Sequence, residues 1–433
     1  MKRLVTFLTA VALVAAACSG GDSDPTPTTG TAAPEASTTS VFRTAPQLPL
    51  NEGDGTFAVG TLFPITGEDE ALAPALAGAA ELAIDDINEA GGVLGQETVL
   101  YTGDSGDDTT DTANQAVDQL ITSGSDVIIG AISTDVSLRV IDKIITSNVI
   151  QFSPANSWPG FTDYDDNGLF FRTAPSDLLQ AGVLADVINR DDHRTVAVAY
   201  QQTDYGSALA DAFSQNFSEL GGEVIELLPY AEDTTDFAAI VDVILRSGPD
   251  ATVVIGRDES AVLVESLHDL GIGPSAFPTY GVDGNTPTIG SLVSDPAIVS
   301  GFVGVEPAVG TGFLFEFTQQ VDDRAETGGV YTYAPETYDA IIITALATEI
   351  AGTDEPSAVA AQINDVTRGG VQCSTFADCL ELAISGEDID YEGLGGPYEF
   401  TDAGEPTAAS FRVLTYTGGA TPDPGRDEYV LSR

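Results

Sequence analysis

The 433-residue chain carries 15 Lys and Arg against 67 Asp and Glu, a formal net charge of −52. Such a chain repels nucleic acid and anionic lipid surfaces, which excludes both as electrostatically driven partners. The acids are scattered along the sequence rather than gathered in a tail. This describes a solvated surface adapted to salt or acidity and carries no information about a ligand.

Lys2 and Arg3 form a basic head, residues 4–17 are apolar apart from Thr6 and Thr9, and Ala15-Ala16-Ala17 runs into Cys18. This is the pattern of a secretory leader over residues 1–17, and its apolar stretch is shorter than the ~20 residues a spanning helix needs. The Cys at the cleavage point resembles the bacterial lipobox, which implies that Cys18 becomes the lipidated first residue. The other reading is a plain leader with an incidental Cys. Several acyl chains on Cys18 would anchor the protein to the cell membrane from outside, at ~0.8 kcal/mol per buried CH₂. The following stretch, to about residue 55, begins rich in Thr, Ser, Pro, Gly and Ala. It cannot bury enough apolar surface to offset its ordering entropy and reads as a disordered linker. The remaining residues, about 380, exceed what one hydrophobic core supports, so two lobes are expected.

From residue 56 the chain alternates strands and helices. Residues 57–63 predict a strand and 75–89 a helix. In that helix Leu76, Ala80, Ala83 and Ile87 form one stripe facing a sheet, and Gly91-Gly92 ends it. Strands at 97–101, 126–130 and 149–153 alternate with helices at 110–122 and 134–146. After Pro175 the beat returns, with helices at 177–189, 204–220, 237–246 and 259–270 and strands at 195–200, 222–230 and 251–256. Short Val/Ile-rich strands between helices imply parallel sheets covered on both faces, hence two doubly wound α/β lobes. Beyond residue 302 the pattern turns helical (312–324, 335–351, 356–366). Residues 395–400 and 411–414 flank a Gly/Asp turn and read as a hairpin. Cys373 and Cys379 remain as an even pair, which in an exported chain suggests one disulfide closing a short loop. A metal reading would need further ligands nearby.

In open α/β sheets ligands bind beyond the carboxyl ends of strands. There the chain offers hydroxyl-bearing turns, Ser133-Thr134 and Ala155-Asn156-Ser157, which with free helix amides could hold a carboxylate without any Arg. Thr134 could equally be only a helix cap. The second half offers Tyr205, Arg257 and Asp283. Asp283 could pair a ligand ammonium or simply be an Asp-Gly turn residue, and Arg257 could meet ligand or pair with Asp258 or another neighbouring acid. Asp104, Asp107, Asp108 and Asp111 lack the spacing of a Ca²⁺ loop and read as a solvated loop. His193 and His268 lie far from the hydroxyl turns in sequence, and no nucleophile or zinc motif is present, which argues against an enzyme.

The ordered set of Thr66-Gly67, AELAIDDINEAGGVLG (80–95), VIIGAISTDVS (127–137), FSPANS (152–157), FRTAPSD (171–177), DYGSALADAF (204–213) and the Gly-rich stretch 393–404 resembles the type I extracytoplasmic solute-binding proteins of the leucine/isoleucine/valine-binding group. The resemblance implies two lobes with a ligand cleft at their hinge, 56–176 with 304–409 and 177–303 with 410–433. It implies a small zwitterionic ligand, no cofactor or metal, and an ABC permease as membrane partner. A sensory receptor component of the same fold, or a non-amino-acid solute such as an amide, is the alternative. Carried over, Ser133, Thr134, Ala155 and Ser157 match the carboxylate turns, Tyr205 an aromatic wall and Asp283 the acid for the ammonium. Leu72, Trp158 and Arg257 depart from the group's usual residues, and all three are expected to shape the side-chain pocket.

Overall fold

The computed structural model describes residues 48–308 and 314–432. The leader, Cys18 and residues 19–47 lie outside them. The first sheet holds β1 (Ala58–Phe63), β2 (Val99–Asp104), β3 (Val127–Gly130), β4 (Ile150–Ser153) and β5 (Phe170–Arg172) in the order β2-β1-β3-β4-β5, all parallel. Its connecting helices are α1 (Ala73–Glu89), α2 (Thr112–Thr122) and α3 (Thr134–Thr146). The predicted α1 stripe of Leu76, Ala80, Ala83 and Ile87 is completely buried. β1, β3 and β4 are buried at every position, which is why β3 is an unbroken apolar run and β1 is interrupted only by Thr61, while β4 carries the buried polar Gln151 and Ser153.

The chain then passes to the second lobe through α4 (Asp177–Arg190). There β6 (Thr195–Gln201), β7 (Glu223–Tyr230), β8 (Ala251–Ile255), β9 (Thr279–Gly281) and β10 (Phe302–Pro307) pair in parallel. They are joined by α5 (Asp204–Glu219), α6 (Ala238–Ser247), α7 (Ser260–Asp269) and the single turn α8 (Ile289–Leu292). The chain next returns to the first lobe with α9 (Phe315–Asp322), α10 (Ala334–Ala351) and α11 (Pro356–Val366). α10 is buried on nearly every face, packed between α1 and α11. A small parallel pair follows, β11 (Val371–Cys373) and β12 (Ile389–Tyr391), around α12 (Phe376–Ser385). The sulfurs of Cys373 and Cys379 lie at bonding distance across this unit.

Two expectations are corrected. Residues 395–400 and 411–414 do not form a hairpin. Tyr398 and Phe400 pack into the first lobe's core, whereas β13 (Ala409–Thr415) crosses to the second sheet, where it pairs antiparallel with β10 and with β14 (Glu428–Ser432). The reason is a buried anchor. Asp339 of α10 accepts from Tyr391 Oη, Tyr398 Oη and the Leu394 and Gly395 amides. It draws the 393–398 segment so close that a Cβ on Gly393 would sit 2.6 Å from its carboxylate. The linker also stops short of residue 55, because the amides of Asp54, Gly55 and Thr56 all donate to Asp354 Oδ2 and Asn51 is tied to Asp126.

Candidate functional site

Gly130 ends β3 with φ 128°, a conformation that L residues avoid, and a Cβ there would lie 2.3 Å from the Leu62 carbonyl. This turn delivers Ile132, Ser133 and Thr134 to the start of α3. Ser133 is the N-cap but makes no side-chain cap bond. Thr134 is therefore the first helical residue, buried and facing a cavity. The neighbouring turn after β4 is riveted to it. Ser153 Oγ donates to the Ala131 carbonyl (2.8 Å) and accepts from the Asn156 amide (2.9 Å), and Asn156 Nδ2 donates to the Ile132 carbonyl (2.9 Å).

Behind that second turn sits Arg172 of β5, 1% exposed. It donates to the carbonyls of Asn156 (3.2 Å) and Trp158 (2.8 Å), to Thr162 Oγ1 (3.2 Å) and, through Nε, to Glu405 Oε2 (2.9 Å). Arg172 thus fixes the backbone that presents Ala155 and Ser157.

The second lobe supplies the facing wall. Tyr205, in the first turn of α5, donates to Asp283 Oδ1 (2.6 Å). Tyr333, at the cap of the first lobe's α10 with φ 62°, reaches across the cleft and donates to Asp283 Oδ2 (3.3 Å). Burial first, and then the charge of Asp283, pushes both phenols well up, so they stay protonated donors. Arg257, just after β8, lies 5.6 Å above the Tyr205 ring and 3.5 Å from Asp69 Oδ2 of the opposite lobe. Burial alone would lower its pKa, but Asp69, Tyr205 and Glu68 outweigh that and raise it. The predicted alternative of an Arg257–Asp258 pair is not formed, since Asp258 accepts from Thr288 instead.

These groups enclose a cavity of about 130 Å³. It is smaller than the ~300–1,000 Å³ of drug-sized sites, so its occupant is small. Of the residues expected from the sequence, Leu72, Thr134, Ala155, Ser157, Tyr205, Arg257 and Asp283 line it together. Ser133 opens instead onto an adjoining recess with Glu68, Asp69 and Asp135. Trp158 does not line the cavity. Its ring packs edge-on against Phe161 (5.4 Å) in the first lobe's aromatic core, while its carbonyl is held by Arg172. Neither His lines it, and His268 is exposed. In the acidic loop, Asp104 accepts from Thr66 and Gly106, and Asp107 from Thr109, which shapes the loop itself.

Sequence reasoning missed Tyr333, Glu68, Asp69 and Asp177. Glu68, at the rim, is pushed up to about 7, first by partial burial, against the pull of Arg257. Asp177 is fully buried behind Ser157, its backbone N–H on the Ser157 carbonyl (2.8 Å). Its carboxyl oxygens have no hydrogen bond among the described residues, and burial and then Asp283 raise its pKa. Tyr333 and Glu68 carry no local signal, because only the fold brings them to the cleft. Asp177 was visible as an acid opening a helix, but nothing in the sequence says that the helix start is buried.

The arrangement presents hydroxyls and helix-start amides on one wall and a carboxylate held by two phenols on the other. Comparison with known proteins gives this geometry a context. A family profile described as "Periplasmic binding protein" matches residues 56–419. The chain is 25% identical over 378 residues to a chemotactic signal transduction system substrate-binding protein, BasB, of Halobacterium salinarum, covering 83% of this chain and 87% of that one. It is 27% identical over 261 residues to the Leu/Ile/Val-binding protein BraC3 of Rhizobium johnstonii, covering 57% and 70%. Among solved structures, the branched-chain amino acid transporter substrate-binding protein LivJ of Streptococcus pneumoniae in complex with isoleucine superposes with a TM-score of 0.70 at 18% identity, over 87% of this chain and 99% of that one. A solute-binding protein of R. palustris in complex with 4-hydroxybenzoate gives 0.69 at 15% identity, over 83% and 92%. At such identities the structural likeness shows the fold alone, but the family profile spans nearly the whole described body. The chain therefore belongs to the periplasmic binding proteins, with the type I fold of the leucine/isoleucine/valine-binding family.

Proposed function

We propose that this protein is an extracytoplasmic, lipid-anchored substrate-binding protein of an ABC importer, a binder and not an enzyme, that captures a small zwitterion by closure of its two lobes. One observation carries the reading. A single small cavity sets Thr134 and Ser157 of one lobe against Asp283 of the other. In this reading the α-carboxylate rests on the turns of Ser133-Thr134 and Ala155-Ser157, and the α-ammonium on Asp283. Tyr205 forms the aromatic wall and Leu72 part of the side-chain pocket. Ligand touching both lobes favours the closed state because only that state offers both contacts. The Cys18 anchor would hold the protein close to its permease, and the pairing of Cys373 with Cys379 suits a chain exported to an oxidising compartment.

Relatives support amino acids as ligands, and the fold also holds benzoate-type solutes. The test is therefore a thermal-shift screen of all common amino acids, amides and small carboxylates. An amino acid should raise the melting temperature by mass action, and silence toward every zwitterion would reject the assignment. A sensory role is the second reading, favoured by the likeness to a chemotactic substrate-binding protein over 83% of this chain. Deleting the gene separates the two, since a transport role predicts lost uptake and a sensory role lost taxis with uptake intact.

A further inference from the structure

The part of the cavity beyond Asp283 is built around Arg257. The Tyr205 ring lies between the two, with its hydroxyl on Asp283 and its face under the guanidinium. Arg257 is thus one phenol ring away from the acid proposed for the ammonium, within the reach of a ligand side chain of a few bonds. Its guanidinium is largely buried. Among the described residues none of its N–H groups is in a hydrogen bond; it has only the 3.5 Å ion pair to Asp69 and the ring beneath it. Arg172 is also buried and also near this cavity, yet its donors all point away from it to Glu405, Thr162 and two carbonyls. The planar fork of Arg257 is left to be met by an acceptor.

The charges around it restrict what that acceptor belongs to. Glu68, Asp69 and Asp258 line the same end of the cavity, against a single Arg. A carboxylate side chain would add to an excess of negative charge, and an ammonium would meet Arg257. An aliphatic end would bury the guanidinium donors without partners, which is costly. A neutral group with a carbonyl and an N–H satisfies both sides, its oxygen accepting from Arg257 and its nitrogen donating to Asp69 or Glu68.

We propose that Arg257 and Asp69 read a carboxamide at the end of the ligand's side chain, which makes amide-bearing amino acids such as glutamine and asparagine the preferred class. This rests on the zwitterion reading of the same cavity. Calorimetric titration of the full protein with glutamine, asparagine, glutamate and leucine tests it. The wild type should bind one of the two amides at least about 10-fold more tightly than leucine or glutamate. Arg257→Leu should weaken amide binding about 10–100-fold and leave leucine within a few-fold. Tighter binding of leucine or glutamate by the wild type would overturn the carboxamide assignment and leave the zwitterion reading standing. Equal losses for amide and leucine in Arg257→Leu would overturn it too. No heat with any amino acid would instead sink the zwitterion reading itself.

Discussion

Arg172 and Arg257 flank one cavity and are both largely buried, yet they are opposites. Arg172 is fully engaged, with Glu405, Thr162 and two carbonyls around its guanidinium. Arg257 has one long ion pair and an aromatic face. The carboxylates repeat the contrast. Asp339, in the first lobe's core, accepts from two phenols and two amides, whereas Asp283, which lines the cavity, accepts from two phenols alone among the described residues. Buried charge is worth keeping in a fold when every lone pair and proton is matched. Where matching is incomplete, as it is only near this cleft among these four, the group is available to a guest. The difference separates side chains that hold the scaffold from side chains that face the solute.

The largest expected effect tests the scaffold side. Arg172→Met removes four contacts, leaves Glu405 charged in a buried site and frees the Ala155–Ser157 turn. Chemical denaturation should show a loss of about 3–5 kcal/mol. A loss under 1 kcal/mol would break the contrast. Next comes the solute side. Asp283→Asn should weaken an amino acid about 100-fold in calorimetry and spare its deaminated analogue, with melting temperature nearly unchanged. Equal losses for the two compounds would refute the role of Asp283. Replacing Cys373 and Cys379 by Ser should cost about 2 kcal/mol, as expected for opening a short loop, without altering affinity.

The pH dependence sharpens the comparison further. Burial pushes Asp126 up to about 7 and Glu336 to about 8, from ordinary values near ~4. The folded chain therefore binds more protons than the unfolded chain between those values. The stability these carboxyls contribute is full below pH ~4, falls progressively as the pH rises from there, and is lost once the pH has passed through the folded values of about 7 and about 8. Melting curves of Asp126→Asn should show a shallower decline over that range than the wild type. The smallest effect belongs to an exposed pair. Arg246→Ala, which breaks the contact to Asp242, should change stability by less than about 0.5 kcal/mol.

Much of the scaffold was legible because burial imposes a period. The Leu76–Ile87 stripe and the Val/Ile run of β3 announce themselves clearly enough to be read. β5 and β9 span three residues each and give no pattern. The mistaken hairpin joined two apolar runs that are near in sequence but belong to different lobes, because Asp339 holds one of them and β10 the other. In the site, the turns after β3 and β4 were readable from their position beyond strand ends. The partner of Arg257 was not, since the adjacent Asp258 looks adequate locally while the ion pair forms with Asp69, far away in sequence. Trp158 was misjudged for a similar reason, because nothing in its neighbourhood reveals that Phe161 and Phe170 stack to receive it.

The most direct test of the central claim is a crystal structure of the protein grown with the amino acid it binds. One molecule should lie between the lobes, its carboxylate oxygens within ~2.7–3.2 Å of donors from Thr134 and Ser157 and its ammonium at similar distance from Asp283. A ligand held by one lobe alone, or lying with its ammonium turned away from Asp283, would contradict it.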